Sequence, residues 1–178
     1  MNTAKATLAG GCFWCTEAVF RQLQGVLDVV PGYIDGHQPD PDYASVCRGD
    51  SGHAEAIEIT YQPDTVSYDT LLQVFFLTHD PTTLNRQGHD VGSQYRSAIY
   101  THDAGQHTAA LACIRKLEAD GVYNSPIVTQ VKAASVFYPA EAYHHDYFAR
   151  NQHAGYCQAV IAPKLHKLYS YAPAPLKG

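Results

Sequence analysis

The order of the periodic segments most constrains how this chain can fold. Strand, helix, strand, strand, helix and strand patterns follow one another over the first hundred residues. This order is typical of a split β-α-β plait, in which antiparallel strands form one sheet and the helices cover one face. We therefore predict an α+β, two-layer ferredoxin-like plait with a mainly antiparallel sheet. The segments are Ala4–Ala9, Thr16–Leu23, Val26–Tyr33, His53–Tyr61, Tyr68–Thr78 and Tyr95–Thr101.

A glycine turn stands directly before a cysteine at the start of the first predicted helix. Gly10 and Gly11 permit a tight turn, and Cys12 follows them. Unpaired N–H groups at a helix start favour the thiolate, so we expect a lowered pKa for Cys12 and a nucleophilic role. Phe13 and Trp14 come next and offer an apolar wall beside the sulfur, unless they serve only as core packing.

A carboxyl group lies in the third predicted strand. Two-residue periodicity places Glu55 on the face of Ile57, Ile59 and Tyr61, which is the apolar face. Burial there would raise the pKa of Glu55 and make it a proton donor near neutral pH. The alternative is that Glu55 lies at the strand end and reaches water.

Two long polar loops supply further donors. Residues 36–52 contain Tyr43, and residues 79–94 contain Asp90 and lead to Tyr95. Tyrosine hydroxyls donate hydrogen bonds while staying neutral at pH 7, although most tyrosines serve packing. The histidines lack an H-E-x-x-H motif and no second C-x-x-C occurs, so we predict no metal site.

Composition narrows the class of protein. The chain has 178 residues, five cysteines and a formal net charge of −5. The charge argues against nucleic acid and anionic membranes as partners, and no long apolar span occurs. An odd number of cysteines without a leader pattern is typical of free or catalytic thiols in the cytoplasm.

The C-terminal stretch differs from the rest of the chain. Late prolines follow residue 151, and Gly155-Tyr156-Cys157 stands at its entrance. We predict a catalytic α+β domain over residues 1–150, ended by a strand at Ile127–Tyr138 and a helix at Ala140–Arg150. Residues 151–178 are predicted to form an irregular tail packed on the same domain, and such a tail could carry Cys157 to another sulfur.

Five motifs in order resemble the peptide methionine sulfoxide reductase A family, and they spread from about residue 8 to residue 157. They are G-G-C-F-W at 10–14, P-G-Y at 31–33, Tyr43 before G-H-A-E at 52–55, H-D-V-G-S-Q-Y-R-S at 89–97, and F-Y-P-A-E with a following Tyr-His at 137–144.

The resemblance implies reduction of methionine S-sulfoxide, free or in proteins, to methionine. It implies that Cys12 is the nucleophile and Glu55 the proton donor to the sulfoxide oxygen. Tyr43 and Tyr95 would bind that oxygen, and Asp90 would support the site. Phe13 and Trp14 would hold the substrate methyl group, because sulfur and aromatic rings attract each other.

The implied reaction is a thiol redox cycle without a bound cofactor. Cys12 would become a sulfenic acid, a second cysteine would condense with it to a disulfide, and thioredoxin or another dithiol would reduce that disulfide. The expected partners are therefore thioredoxin and proteins or peptides that carry methionine sulfoxide.

The chain departs from the family pattern at Cys15, where glycine is usual, so that Cys12-Phe13-Trp14-Cys15 is a C-x-x-C motif. We predict that Cys157 is the resolving thiol, because the family places resolving cysteines in such G-Y-C contexts, and Cys15, which is nearer in sequence, is the alternative. The motif also permits a thioredoxin-like dithiol oxidoreductase. A non-catalytic binder of oxidised peptides is a third alternative.

Overall fold

The computed structural model describes residues 2–171, 173 and 175–177 as a six-stranded sheet covered by helices. A separate two-stranded hairpin is formed by β4 and β5. The strands are β1 (Ala4–Ala9), β2 (Val26–Ile34), β3 (Ala54–Tyr61), β4 (Arg86–Gln87), β5 (Asp90–Val91), β6 (Ala98–Thr101), β7 (Gln130–Ala133) and β8 (Tyr138–Pro139). The helices are α1 (Phe13–Phe20), α2 (Tyr43–Cys47), α3 (Tyr68–Thr78), α4 (Ala104–Ala119), α5 (Tyr147–Arg150) and α6 (Ala162–Tyr171).

The centre of the sheet confirms the predicted plait. The strand order is β7-β6-β1-β3-β2-β8, and every pairing is antiparallel except that of β6 with β7. β1 lies between β3 and β6, as the split β-α-β arrangement requires. The bounds of β1 and α3 agree with the prediction, and Ser67 caps α3 by accepting a hydrogen bond from the Thr70 N–H.

Helix α1 begins earlier than the sequence pattern indicates. It starts at Phe13, directly after the Gly10-Gly11-Cys12 turn, and ends at Phe20. Nearly all of its side chains are buried, so it has little apolar periodicity to mark its limits. The early start places Cys12 at the N-cap and brings Cys15 into the first turn.

The two faces of the sheet are covered differently. The large core lies on the helical face, where α1 packs on β2 and β3 and against α3 and α6. The opposite face carries a small core with several alanines, onto which Ala134 and Phe137 pack. Small side chains let a crossing segment lie close to the sheet.

This crossing segment corrects the prediction of one strand at Ile127–Tyr138. The segment contains two strands at opposite edges of the sheet, since β7 pairs with β6 and β8 pairs with β2. Residues 134–137 connect them across the alanine-rich face. Apolar alternation reports exposure of alternate faces, but it does not reveal that a strand changes neighbours.

The predicted helix at Ala140–Arg150 is also wrong. The chain forms a 3-10 turn at Ala142–His144 and then the single turn of α5. Asp146 between them has a φ of 54°, a left-handed conformation that interrupts a right-handed helix.

The C-terminal stretch is not irregular, which corrects the predicted tail. Cys157–Ile161 forms a π-helical turn that continues into α6. Pro163 directly follows the junction of this turn with α6, and Leu165 and Leu168 of α6 are buried. The division at residue 150 stays a prediction, and Met1, Ala172, Ala174 and Gly178 of the two predicted units lie outside the described residues.

Candidate active site

Cys12 occupies the junction of β1 and α1. Its backbone is extended at the N-cap, and the Cys15 N–H donates to its carbonyl at 3.0 Å. Gly11 has a φ of +89°, and any Cβ there would collide with the side chain of Gln87. The glycine turn therefore serves both the backbone conformation and the close approach of the 79–94 loop.

The thiol of Cys12 does not have the lowered pKa that its helix position predicts. Only 6% of the residue is exposed. Burial raises the pKa of Cys12 well above its ordinary value, and a hydrogen bond with Cys15 and the charge of Glu55 raise it further. The helix terminus is thus outweighed by desolvation, because a buried thiolate loses its hydration.

Glu55 is buried beside helix α1, in agreement with the first of the two alternatives that the sequence left open. It lies on β3 opposite Tyr33, and only 1% of it is exposed. The Phe13 N–H donates to Glu55 Oε1 at 3.1 Å, while Oε2 has no hydrogen-bond partner among the described residues. Burial raises the pKa of Glu55 to about 8, so the carboxyl is protonated at neutral pH.

Tyr43 and Tyr95 converge on the same place from the two polar loops. Burial raises the pKa of both hydroxyls, and the charges of Glu55 and Cys12 act on both in the same direction. Tyr43 begins the short helix α2, which Asp42 caps inside the predicted loop. Both hydroxyls therefore stay protonated near a protonated carboxyl, a set suited to a strong neutral acceptor.

Aromatic rings surround this set of donors. The Phe13 ring lies 6.3 Å from Tyr43, and the Trp14 ring lies 6.2 Å from it. Trp14 also stacks on Tyr147 at 3.8 Å and donates its indole N–H to His144 Nδ1 at 3.0 Å. Trp14 is thus held in place on two sides.

Tyr156 joins Asp90 to Cys15. Tyr156 donates its hydroxyl proton to Asp90 Oδ2 at 2.7 Å, and its oxygen lies 3.5 Å from Cys15 Sγ. The hydrogen bond from Cys12 lowers the pKa of Cys15. A cavity of about 350 Å³ is lined by Cys12, Cys15 and Asp90, with Lys164 at its wall.

Cys157 is not placed as the sequence suggested. It is the first residue of the π-helical turn, and it is fully buried in the main core. Burial raises its pKa, and the nearby charge that acts on it is that of Cys15. Cys157 therefore lies on the Cys15 side of the site and in a packed helix, so the premise of a mobile tail is wrong.

The structure adds residues to which the sequence assigned no role. Tyr156 contacts Cys15, His144 and Tyr147 contact Trp14, and Lys164 lines the cavity beside Cys12 and Cys15. Tyr156 could have been noticed from its position next to Cys157, whereas Lys164 had no sequence signal because α6 was predicted to be irregular. Within the part of the chain that the structure describes, no group of three or more His, Cys, Asp or Glu could hold a metal ion.

The fold and the site define a thiol-based oxidoreductase. The chain belongs to the peptide methionine sulfoxide reductase family, whose profile matches residues 4–174. Members of this family reduce methionine sulfoxide, and the chain is an oxidoreductase of this kind. The assignment decides against a thioredoxin-like protein.

Relatives and solved structures agree with the assignment. The peptide methionine sulfoxide reductase MsrA of Chromobacterium violaceum is 58% identical over 164 residues, which cover 92% of this chain and 93% of the relative. Reduced Mxr1 from Saccharomyces cerevisiae is 32% identical with a TM-score of 0.81, covering 87% of this chain and 89% of that one. Mxr1 in complex with Trx2 shares the fold, at 23% identity and a TM-score of 0.58, covering 82% of this chain and 84% of the other.

No described helix is both long enough and apolar enough to cross a membrane.

Proposed function

We propose that this chain reduces the S epimer of methionine sulfoxide, free or in proteins, with Cys12 as nucleophile and Glu55 as acid. The observation that carries the proposal is the state of Glu55. Its carboxyl is buried and protonated at neutral pH, one oxygen is held by the Phe13 N–H, and the other oxygen has no partner among the described residues.

The unpartnered oxygen has the properties of a proton donor to substrate. A sulfoxide oxygen is a strong acceptor and gains negative charge when a thiol attacks its sulfur. A neutral acid in a water-poor site protonates that oxygen at little cost, and the Tyr43 and Tyr95 hydroxyls can donate to it at the same time. Each donor stays protonated because burial raises its pKa.

The first step transfers the sulfoxide oxygen to Cys12. The Cys12 sulfur attacks the sulfoxide sulfur and Glu55 protonates the oxygen, which leaves a hydroxyl on the substrate sulfur. This hydroxyl then moves to the Cys12 sulfur as the bond between the two sulfurs and the S–O bond of the substrate break, so that methionine leaves and Cys12 is a sulfenic acid. The thiol proton of Cys12 returns to Glu55, so the step consumes no net proton. The raised pKa of Cys12 fits this order, since a free thiolate beside Glu55 is disfavoured until substrate arrives.

Phe13 and Trp14 supply the wall for the S-methyl group. Trp14 is fixed by Tyr147 and His144, and Phe13 is buried beneath Tyr43. The site has a fixed apolar wall on one side and donors to oxygen on another. Only one epimer can place its methyl group on the wall and its oxygen at the donors while the rest of the methionine points out of the site. This arrangement supports reduction of a single epimer.

Cys15 is the thiol that the geometry supports for the resolving step. Cys12 and Cys15 line the same cavity and each shifts the pKa of the other, whereas Cys157 is fully buried in the main core. Both residues lie at the start of α1, so Cys15 is the better placed of the two thiols to condense with the sulfenic acid. Cys157, the prediction from the family's G-Y-C context, stays untested, and its position also suits a second exchange with Cys15.

Thioredoxin is the proposed reductant, and the cytoplasm the proposed compartment. A structure of Mxr1 in complex with Trx2 shows that Mxr1 binds Trx2. We extend a dithiol reductant to this chain because its cycle ends in a disulfide that only thiol exchange can reopen.

An assay on separated epimers tests the proposal. The protein is incubated with methionine S-sulfoxide or R-sulfoxide and dithiothreitol, and the methionine formed is measured. We expect turnover of the S epimer only. Equal rates on both epimers would contradict the pocket argument, and binding without methionine release would favour a non-catalytic binder.

Peptide mapping identifies the resolving thiol. The protein is oxidised with one equivalent of methionine S-sulfoxide, its free thiols are alkylated, and it is digested with a protease. We expect the first disulfide to join Cys12 and Cys15 and the Cys157→Ser variant to form it at the same rate. A first disulfide between Cys12 and Cys157 would restore the prediction from the G-Y-C context.

A further inference from the structure

A continuous line of polar hydrogens leads from the nucleophile to the edge of the cavity. Cys12 and Cys15 line the same cavity and each shifts the pKa of the other, Cys15 Sγ lies 3.5 Å from Tyr156 Oη, and Tyr156 Oη lies 2.7 Å from Asp90 Oδ2. Cys15 is buried, while Asp90 is partly open to solvent. The line therefore joins a buried thiol to an exposed carboxylate.

The donors in this line have one consistent direction. A carboxylate only accepts, so the single proton of Tyr156 is donated to Asp90. The Tyr156 oxygen then accepts, and the Cys15 S–H is the donor in the contact between them. With its proton directed at Tyr156, Cys15 presents a lone pair toward Cys12.

Other contacts keep the hydroxyl in place. The Tyr156 ring packs edge-on against Trp14, with centroids 5.8 Å apart at 80°. The ammonium of Lys164, whose Nζ donates to the Thr78 carbonyl, lines the same cavity, and its charge also lowers the pKa of Cys15. The titratable groups near Cys15 are Cys12, Tyr156, Asp90, Lys164, Glu55 and Cys157.

We propose that Tyr156 and Asp90 form a proton-transfer relay for Cys15, a role that serves the resolving step. This inference rests on the proposed function, because it requires a sulfenic acid on Cys12. Tyr156 and Asp90 are then positioning residues that act through Cys15.

The step balances in atoms and electrons. The Cys15 sulfur pair attacks the Cys12 sulfur, the S–S bond forms, and the S–O bond of the sulfenic acid breaks. The Cys15 proton moves to Tyr156 as the Tyr156 proton moves to Asp90. The departing hydroxide takes a proton from Glu55 and leaves as water, and Asp90 and Glu55 re-equilibrate their protons with solvent.

A single-turnover experiment without reductant tests the relay. The methionine released from methionine S-sulfoxide measures the rate of the first step. The rate of the second step is measured from the loss of Cys12 sulfenic acid, trapped with dimedone, and the appearance of the Cys12–Cys15 disulfide. In Tyr156→Phe we expect the ratio of the second rate to the first to fall about 10²-fold, within the range of acid–base catalysis. Tyr169→Phe is the matched control. Tyr169 lies near the C-terminal end of α6, and its hydroxyl donates to the Gln22 side chain.

The pH dependence separates a relay from a merely structural role. Raising the pH ionises Cys15 without a relay, so the deficit of Tyr156→Phe should shrink as pH rises, whereas a packing defect would persist. Asp90→Asn accepts the same hydrogen bond but cannot hold the proton, and we expect the same deficit. Asp90→Asn also serves as the second test should Tyr156→Phe fail to fold.

Two results would overturn the relay alone. The first is that Tyr156→Phe or Asp90→Asn keeps the wild-type ratio of disulfide formation to methionine release at every pH. The second is that the first disulfide formed does not contain Cys15. Failure of the wild type to release methionine from the S-sulfoxide would instead overturn the proposed function together with the relay.

Discussion

The candidate site combines two regions of different construction. Cys12 and Glu55 come from the plait, defined here as β1–β3, β6, α1 and α3, where they lie on or next to regular, buried elements. Tyr156, Cys157 and Lys164 come from the C-terminal segment, residues 151–171, whose helical turns pack on α1 and α3. The plait thus holds the proposed nucleophile and the proposed acid of sulfoxide reduction, and the C-terminal segment holds Tyr156 and Cys157, which are proposed for thiol exchange.

This difference teaches that the two halves of the reaction can vary separately. Removing a group of the plait should stop methionine formation, whereas removing a group of the C-terminal segment should leave an oxidised enzyme that recycles slowly. Cys15 and Asp90 are exceptions, since Cys15 lies in α1 and Asp90 in β5, yet both contact Tyr156. The predictions below test this division, beginning with the largest effect.

Replacing the nucleophile should abolish the reaction. In Cys12→Ser we expect no methionine from the S-sulfoxide, because a hydroxyl is a far weaker nucleophile than sulfur. The variant keeps the volume of the side chain and should keep the thermal unfolding midpoint of the wild type. Appreciable single-turnover activity would mean that Cys12 does not act in the first step, and would contradict the assignment of sulfoxide reduction to the plait.

Replacing the acid should lower the rate of methionine release by about 10²–10⁴-fold near neutral pH. Glu55→Gln keeps the shape and accepts the Phe13 N–H, but it has no proton to release. Because the raised pKa of Glu55 is about 8, the wild-type carboxyl is protonated below that pH and ionises as pH rises through it. We therefore expect the wild-type rate to fall above about pH 8.

The pH–rate profile of Glu55→Gln provides the matching control. Its residual activity should lack the decline that belongs to Glu55 ionisation. A variant whose profile matches that of the wild type would assign the decline to another group.

Removing a buried leucine of the C-terminal segment should destabilise the whole protein. Leu168 is fully buried in the main core, and Leu168→Ala should lower the free energy of unfolding by about 2–5 kcal/mol. Leu111 on α4 is 37% exposed, and Leu111→Ala should cost less than about 1 kcal/mol. Both are measured by urea unfolding. Equal effects would show that the segment contributes little to the core.

Removing one phenol hydroxyl should have the smallest effect on catalysis. Tyr43→Phe and Tyr95→Phe each lose one neutral donor, which is worth about 1 kcal/mol, so kcat/KM for the S-sulfoxide should fall about 5–10-fold. Tyr169→Phe, remote from the site, is the control. A loss as large as that of Glu55→Gln would mean that a tyrosine, and not Glu55, is the main proton donor.

The accuracy of the sequence predictions follows the same division. Within the plait, β1 and α3 were predicted with their bounds, because both have clear periodicity and α3 has a serine cap. Glu55 could be placed on the apolar face of a strand, yet the pattern left open whether it reached water. Only the Phe13 N–H and the covering core show that it is buried.

Predictions failed where neighbours, not local pattern, decide the structure. Residues 127–138 were predicted as one strand because their apolar pattern is continuous. In the structure the two ends of this segment pair with opposite edges of the sheet, since β7 pairs with β6 and β8 pairs with β2. The C-terminal segment read as irregular because of its prolines and a polar composition, although burial of Leu165 and Leu168 stabilises a helix there.

The sequence by itself determined the class of fold, the glycine turn before Cys12 and the family, because these depend on local periodicity and on ordered motifs. The tertiary structure decided the ionisation of Cys12 and Glu55 and the partner of Cys15. Those properties depend on desolvation and on atoms distant in sequence, such as Tyr156 beside Cys15. A helix start alone predicts a lowered thiol pKa, but burial opposes the charge more strongly, and no linear pattern records how much water a folded chain excludes.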